Sequence, residues 1–229
     1  DVAPSRGLGD VYKRQEYIRL LKRYLFLECD RTSSGRIGKN GGIYEYVQRE
    51  FAYNSGRLEG CELSKQNVYN MYEYGVIYAD KAGDVFRAKD IITVDGHFAA
   101  LKYVIDNCMG YHIGISSQNA REIHRRLNCG QDMIVDRAMY ELTFRTPHDL
   151  KEVAKYHVDW IKLGADIKTA RVIAFIQCLN ANIVPFIIHE KNKKEYENCF
   201  DDSIRLEELL KKEQICFYRE TEPILVEQI

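Results

Sequence analysis

Phe51-Ala52-Tyr53-Asn54-Ser55-Gly56-Arg57-Leu58-Glu59-Gly60 is the stretch on which the reading of this 229-residue chain turns. It closes a run from Ile43 to Leu58 whose apolar residues recur at helical spacing. Gly60 suits the left-handed position that terminates a helix. The sequence therefore predicts a helix over residues 43–60 that carries Ser55 and Glu59.

Helical patterning continues on both sides. Upstream, Tyr17, Leu20, Leu21, Tyr24, Leu25 and Phe26 recur at helical spacing among Lys and Arg, which predicts an amphipathic helix from Glu16 to Glu28. Asp30 to Gly42 reads as a loop, and its Gly-rich run lacks the spacing and hydroxyl of a phosphate-binding loop. Downstream, Ser64 caps a helix through Tyr72, and residues 75–83 form a connector. Apolar residues from Ile91 to Cys108 mark another helix, and Ser116 or Ser117 caps the next, through Leu127. Thr146-Pro147-His148-Asp149 opens a helix to Leu163, with a capping residue, proline at the first position and an acid in the first turn. Gly164-Ala165-Asp166 breaks it, and Asp166 caps a long apolar helix through Leu179. Two further helical patterns fill 191–218, with Leu206, Leu209 and Leu210 facing the core. No internal repeat, low-complexity tract or multi-strand pattern is present.

The composition, 45% hydrophobic, supports one core and a single domain over residues 16–229. Residues 1–15 contain SRGLGDVYKRQ, which looks like a translated assembly scar. They are set aside as a non-native or disordered leader. Thirty-three basic against thirty-four acidic residues leave a net charge of -1, which excludes the strong positive field of a general nucleic-acid binder. Seven cysteines without a CxxC pair exclude a disulfide framework or zinc finger and fit a reducing cytoplasm. No run of about 18 apolar residues predicts a membrane span.

Ser55-xxx-Glu59-Gly60 resembles the inhibitory motif (S/T)xxxE(G/N) of Fic-family proteins, also called Fido or Fic/Doc. The resemblance extends through GGIYEYVQREFAYNSGRLEG, DIITVDGHFAALKYVIDN, ISSQNAREIHRRL, KYHVDWIKL, TARVIAFIQCLNANIVPFII and KNKKEYENCF, in family order. It implies an all-α helical bundle and transfer of AMP from ATP to Ser, Thr or Tyr hydroxyls of proteins. In active members the signature HxFx(D/E)GNGRxxR forms a loop entering a helix N-terminus, whose amides hold phosphates. Its histidine is the base, its acid holds a divalent metal, and its arginines hold phosphate charge.

Anchored on TARVIAFIQCL, the signature is degenerate. Arg171 falls at the second arginine, Lys168 at the first, Asp166 at the asparagine and Gly164 at the metal acid. Counted without gaps, the histidine position is Trp160; matched through YHVDWIKL, the HxFx tetrad is missing between Leu163 and Gly164. Neither register contains a histidine. His157 matches instead a histidine in the helix before the loop and is expected to be packed there. The interval from Cys129 to His157 is short for the family's flap hairpin, and 133–144 lacks a strand pattern, so the flap is expected to be reduced or absent. In the family's NHF block, Gly96 replaces the asparagine while His97 and Phe98 remain.

These departures predict no catalytic residue and no metal ligand, with Asp166, Lys168 and Arg171 as a nucleotide-binding remnant beside the inhibitory residues Ser55, Glu59 and Gly60. The implied function is that of a pseudoenzyme that has lost ATP-dependent protein adenylylation. It would keep a protein-binding or weak nucleotide-binding role, with the partner protein undefined. ATP and magnesium enter only if activity persists, either through an altered mechanism using Asp166 or because the sequence is a damaged copy of an active enzyme. Glu59 should reach Arg171; a gap beyond about 6 Å would undo that pairing.

Overall fold

A computed structural model describes residues 3–33, 41–79, 81, 83, 85–110, 115–134, 137–143 and 145–228, with side chains in the first helix from 13 to 30 and none at 143. Ten α-helices occur among them: α1 Ala3–Ser33, α2 Ile43–Leu58, α3 Lys65–Tyr74, α4 Ala88–Asn107, α5 Ser117–Leu127, α6 Arg137–Thr143, α7 Leu150–Lys162, α8 Ile167–Asn180, α9 Lys193–Glu197 and α10 Ser203–Val226. A single 3-10 turn, Glu190–Asn192, precedes α9. No strand is present among the described residues, so the architecture is all-α.

The bundle is organised around α8. Every residue from Thr169 to Asn180 is buried, as expected of a helix that is apolar all round. One core unites α1, α2, α4, α5 and α8 with Phe217 and Leu225 of α10; Phe51 of α2 meets Phe175 of α8 edge to face at 5.6 Å. A second core packs α7, α8 and α10 through Val153, Ala174, Leu206, Leu209 and Leu210, so the leucines expected to face inward do so. A smaller one joins α2, α3 and α4 through Ala52, Val68 and Val94.

Several ends differ from expectation. Helix α1 begins at Ala3 rather than Glu16, and the backbone of residues 3–15, set apart as a leader on sequence, continues the same helix. Helix α7 begins after Asp149, not at Thr146-Pro147. Asp149 Oδ1 accepts from Glu152 N at 2.9 Å, while Glu152 Oε2 accepts from His148 N at 2.8 Å, so the aspartate and glutamate satisfy both exposed amides. Residues 137–143, where a flap was expected to be reduced, form the short α6. The expected loop at 30–42 lies mostly outside the described residues, and its first four residues belong to α1.

Candidate functional site

Helix α2 delivers Ser55 and Glu59 to the side of α8. It stops where the sequence predicts, with Gly60 left-handed at φ +81° and Cys61 N bonded to Gly56 O at 2.9 Å. Glu59 Oε1 accepts from Arg171 Nη2 at 2.8 Å. Ser55 holds the same guanidinium: its Oγ accepts from Arg171 Nε at 3.0 Å and its carbonyl from Nη2 at 3.4 Å. Arg171 is 3% exposed and Glu59 33%. The motif's serine and glutamate thus grip one buried cation.

The chain of bonds continues to a residue the sequence left without a role. Ser55 Oγ lies 2.6 Å from His97 Nε2, and His97 Nδ1 lies 2.7 Å from Thr93 O. A carbonyl can only accept, so Nδ1 carries the proton and Nε2 accepts from the Ser55 hydroxyl. The order is Arg171 Nε–H to Ser55, Ser55 O–H to His97, and His97 to the α4 backbone. Complete burial above all, opposed by the Thr93 bond and reinforced by the nearby Arg171 and Lys168 charges, lowers the His97 pKa to about 3 and keeps the ring neutral. The retained His-Phe pair was the available signal. Gly96 beside it lets α4 approach α5: a side chain there would meet Arg126 O at 2.9 Å.

The α7–α8 connection is a closed turn. Gly164 sits at φ +89°, a conformation that L side chains rarely adopt. Ala165 N bonds to Trp160 O and Gly164 N to Ile161 O, each at 3.0 Å, which satisfies the last carbonyls of α7. Asp166 then caps α8, its Oδ1 accepting from Thr169 N at 2.7 Å. Its Oδ2 accepts from Asn128 Nδ2 at 2.5 Å and lies 2.8 Å from His124 Nδ1. Lys168 Nζ donates to Leu127 O at 3.2 Å.

The predicted residues therefore divide. Ser55, Glu59 and Arg171 meet between α2 and α8, whereas Asp166 and Lys168 are engaged with α5. Gly60 shapes the helix end. Beside Arg171 remains a cavity of about 10 Å³, lined by Phe51, Ser55, Phe186, Ile187 and Ile188, which is room for one water. Trp160 is fully buried in α7, so the ungapped register would set the catalytic base inside the core. His157 is buried and bonded to Tyr196 OH at 2.7 Å, the packed role expected of it. Burial, then the Arg171 charge, lowers its pKa to about 4.

No family model matches this sequence, and no curated protein does. Solved structures do match in fold. A fragment of Fic-1 from C. elegans aligns at 15% identity and TM-score 0.67 over 98% of this chain and 78% of that one. A glutamate-to-glycine variant of the same fragment aligns at 15% identity and TM-score 0.66 over 96% and 77%. A Fic domain containing signaling protein from Bacteroides thetaiotaomicron aligns at 14% identity and TM-score 0.65 over 95% of each chain. The helical bundle described above is the Fic fold.

Proposed function

We propose that this chain is a Fic-family protein that has lost ATP-dependent protein adenylylation and acts in the cytoplasm by binding a protein partner. The observation that carries this reading is the Asp166 carboxylate on the first turn of α8. The resemblance assigns that helix end to phosphate, and a resident carboxylate both uses an amide there and repels a second anion.

The rest of the turn agrees. The position matched to the metal acid is Gly164, which has no side-chain oxygen, and both oxygens of Asp166 already have donors. The residues present do not fit a magnesium ion. Asp166 is equally ill placed as a substitute base. Lys168 keeps a cationic charge without the planar fork of arginine, and it is bonded to α5. A nucleotide held weakly at Arg171 would first have to displace Glu59 and widen a cavity that takes one water. Among the described residues, no helix is long and apolar enough to cross a membrane, and all seven cysteines are free thiols, which supports placement in a reducing compartment.

The test is incubation of the wild-type chain and Glu59→Gly with labelled ATP and magnesium or manganese, alone and with cell lysate. No transfer is expected from either. Label that moves to protein, and is lost when Arg171 is also replaced, would establish an active transferase and defeat the proposal.

A further inference from the structure

The outer face of α2, away from Arg171, is held by a second polar cluster. Its centre is His189, which ends the extended segment after α8 and begins the 3-10 turn. Its ring lies between two carboxylates of α10: Nδ1 is 2.6 Å from Glu213 Oε2, and Nε2 is 3.8 Å from Glu220 Oε2. Glu213 is 1% exposed at its side chain and also accepts from His189 N at 3.0 Å and Asn192 Nδ2 at 2.8 Å. The next residue reaches the other way. Glu190 accepts from Arg57 Nε at 2.6 Å and Tyr53 OH at 2.7 Å, and its amide donates to Asn54 Oδ1 at 3.1 Å. Tyr53, Asn54 and Arg57 belong to α2, interleaved with Ser55 and Glu59.

We propose that His189 is a proton-operated latch: protonated, it tightens the turn at 189–192 onto α10 and so holds Glu190 against α2, and its deprotonation weakens that hold and loosens the helix. The proposal stands whether or not the chain binds a nucleotide.

The charges around the ring favour this. Glu213 and Glu220 face it from α10. From α2 come Glu50 and Tyr46, whose hydroxyl donates to Glu220 at 2.5 Å. Lys65 at the start of α3 is neutralised by Glu50 at 2.6 Å, which leaves Lys191 as the neighbouring cation that opposes protonation. The Glu213 hydrogen bond raises the His189 pKa above its ordinary 6.5, against burial. Burial resists ionisation of Glu213, but bonds from His189 and Asn192 outweigh it and hold the carboxyl below its ordinary 4.5. A raised histidine stabilises fully below its unfolded pKa and loses that contribution as pH rises through the folded one. A depressed glutamate does so above its unfolded pKa. The latch is therefore at full strength between the ordinary values of 4.5 and 6.5. A cleft of about 530 Å³ between α2 and α10, lined in part by Tyr46, Glu50, Tyr53 and Glu220, gives water access to the ring.

Two measurements on the full chain test this together: NMR titration of His189, and hydrogen-exchange protection factors from pH 5.5 to 9. The expected result is a His189 midpoint above the ordinary value. Amides of α2 and residues 189–192 should lose about tenfold in protection for each pH unit of that elevation, while α5 holds constant. His189→Asn keeps a neutral donor for Glu213 and should flatten the profile. If that variant does not fold, Glu220→Gln, on the exposed side, should lower the midpoint and move the loss of protection with it. An ordinary midpoint, a flat wild-type profile, an unmoved one in Glu220→Gln, or α5 declining in step with α2 would each overturn the latch.

Discussion

The α2–α8 junction and the α7–α8 turn meet the same helix within about one and a half turns of each other, yet they satisfy polar groups in different ways. Arg171 takes its partners from Ser55 and Glu59, 116 and 112 positions away in sequence. The backbone of the turn closes on its own neighbours, Trp160 with Ala165, Ile161 with Gly164, and Asp166 with Thr169, while the second Asp166 oxygen and Lys168 reach out to α5. A locally closed turn can be shortened and resealed, whereas a buried cation depends on a counter-ion delivered by a distant helix. The difference makes the turn tolerant of local sequence change, whereas Arg171 depends on a partner from another helix.

The largest effect should expose this dependence by its asymmetry. Glu59→Ala leaves Arg171, 3% exposed, without a carboxylate partner. Loss of one member of a buried pair points to a cost of about 3 kcal/mol. Arg171→Met instead removes the buried charge itself, and Glu59, a third exposed, can turn to water. That change should cost about 1 kcal/mol or less, since an apolar replacement spares the desolvation of the cation. Urea unfolding compares the two. A larger loss in Arg171→Met would mean that the Ser55 contacts, rather than Glu59, compensate the guanidinium.

Acid should act on the junction next. His97 and His157 have pKa values lowered to about 3 and about 4, mainly by burial. Below the ordinary 6.5 the unfolded chain binds protons that the folded chain refuses, so stability falls as pH drops, until the folded values are reached. Each histidine contributes a slope of about 1.4 kcal/mol per pH unit. His97→Gln should remove one such slope between pH 6 and 4 in urea midpoints collected across that range. An unchanged slope would show that the ring is already protonated and that the order of donors from Arg171 to His97 is wrong.

Much of this was legible in the sequence because it depends on local chemistry. Ser64 and Asp166 cap their helices as expected. Gly60 ends α2, and the continuous apolar pattern of α8 marked the central helix. The Ser55-xxx-Glu59 spacing and Arg171 supplied the junction through family resemblance. What escaped depends on three-dimensional approach. Pattern cannot show that Ser55 faces His97, because those residues are 42 apart on different helices. Nor does it show why residue 96 is glycine until α5 is seen against α4. The start of α7 was misplaced because Thr146-Pro147 and Asp149-x-x-Glu152 are competing start signals, and reciprocal bonding decides for the second.

The smallest effect asks whether the two regions are independent. Asp166→Ala removes the α8 cap and should cost about 1 kcal/mol, the usual loss for an N-cap aspartate. Asp166 and Glu59 share no bonded partner, so in Glu59→Ala/Asp166→Ala the two losses should add to within about 0.5 kcal/mol. A larger departure would mean that the turn transmits its state to the junction, with Lys168 the natural route: it is bonded to α5 and its charge is felt at His97. Additivity would instead make the turn and the junction independent, with the Glu59 helix a brace whose work is to neutralise Arg171.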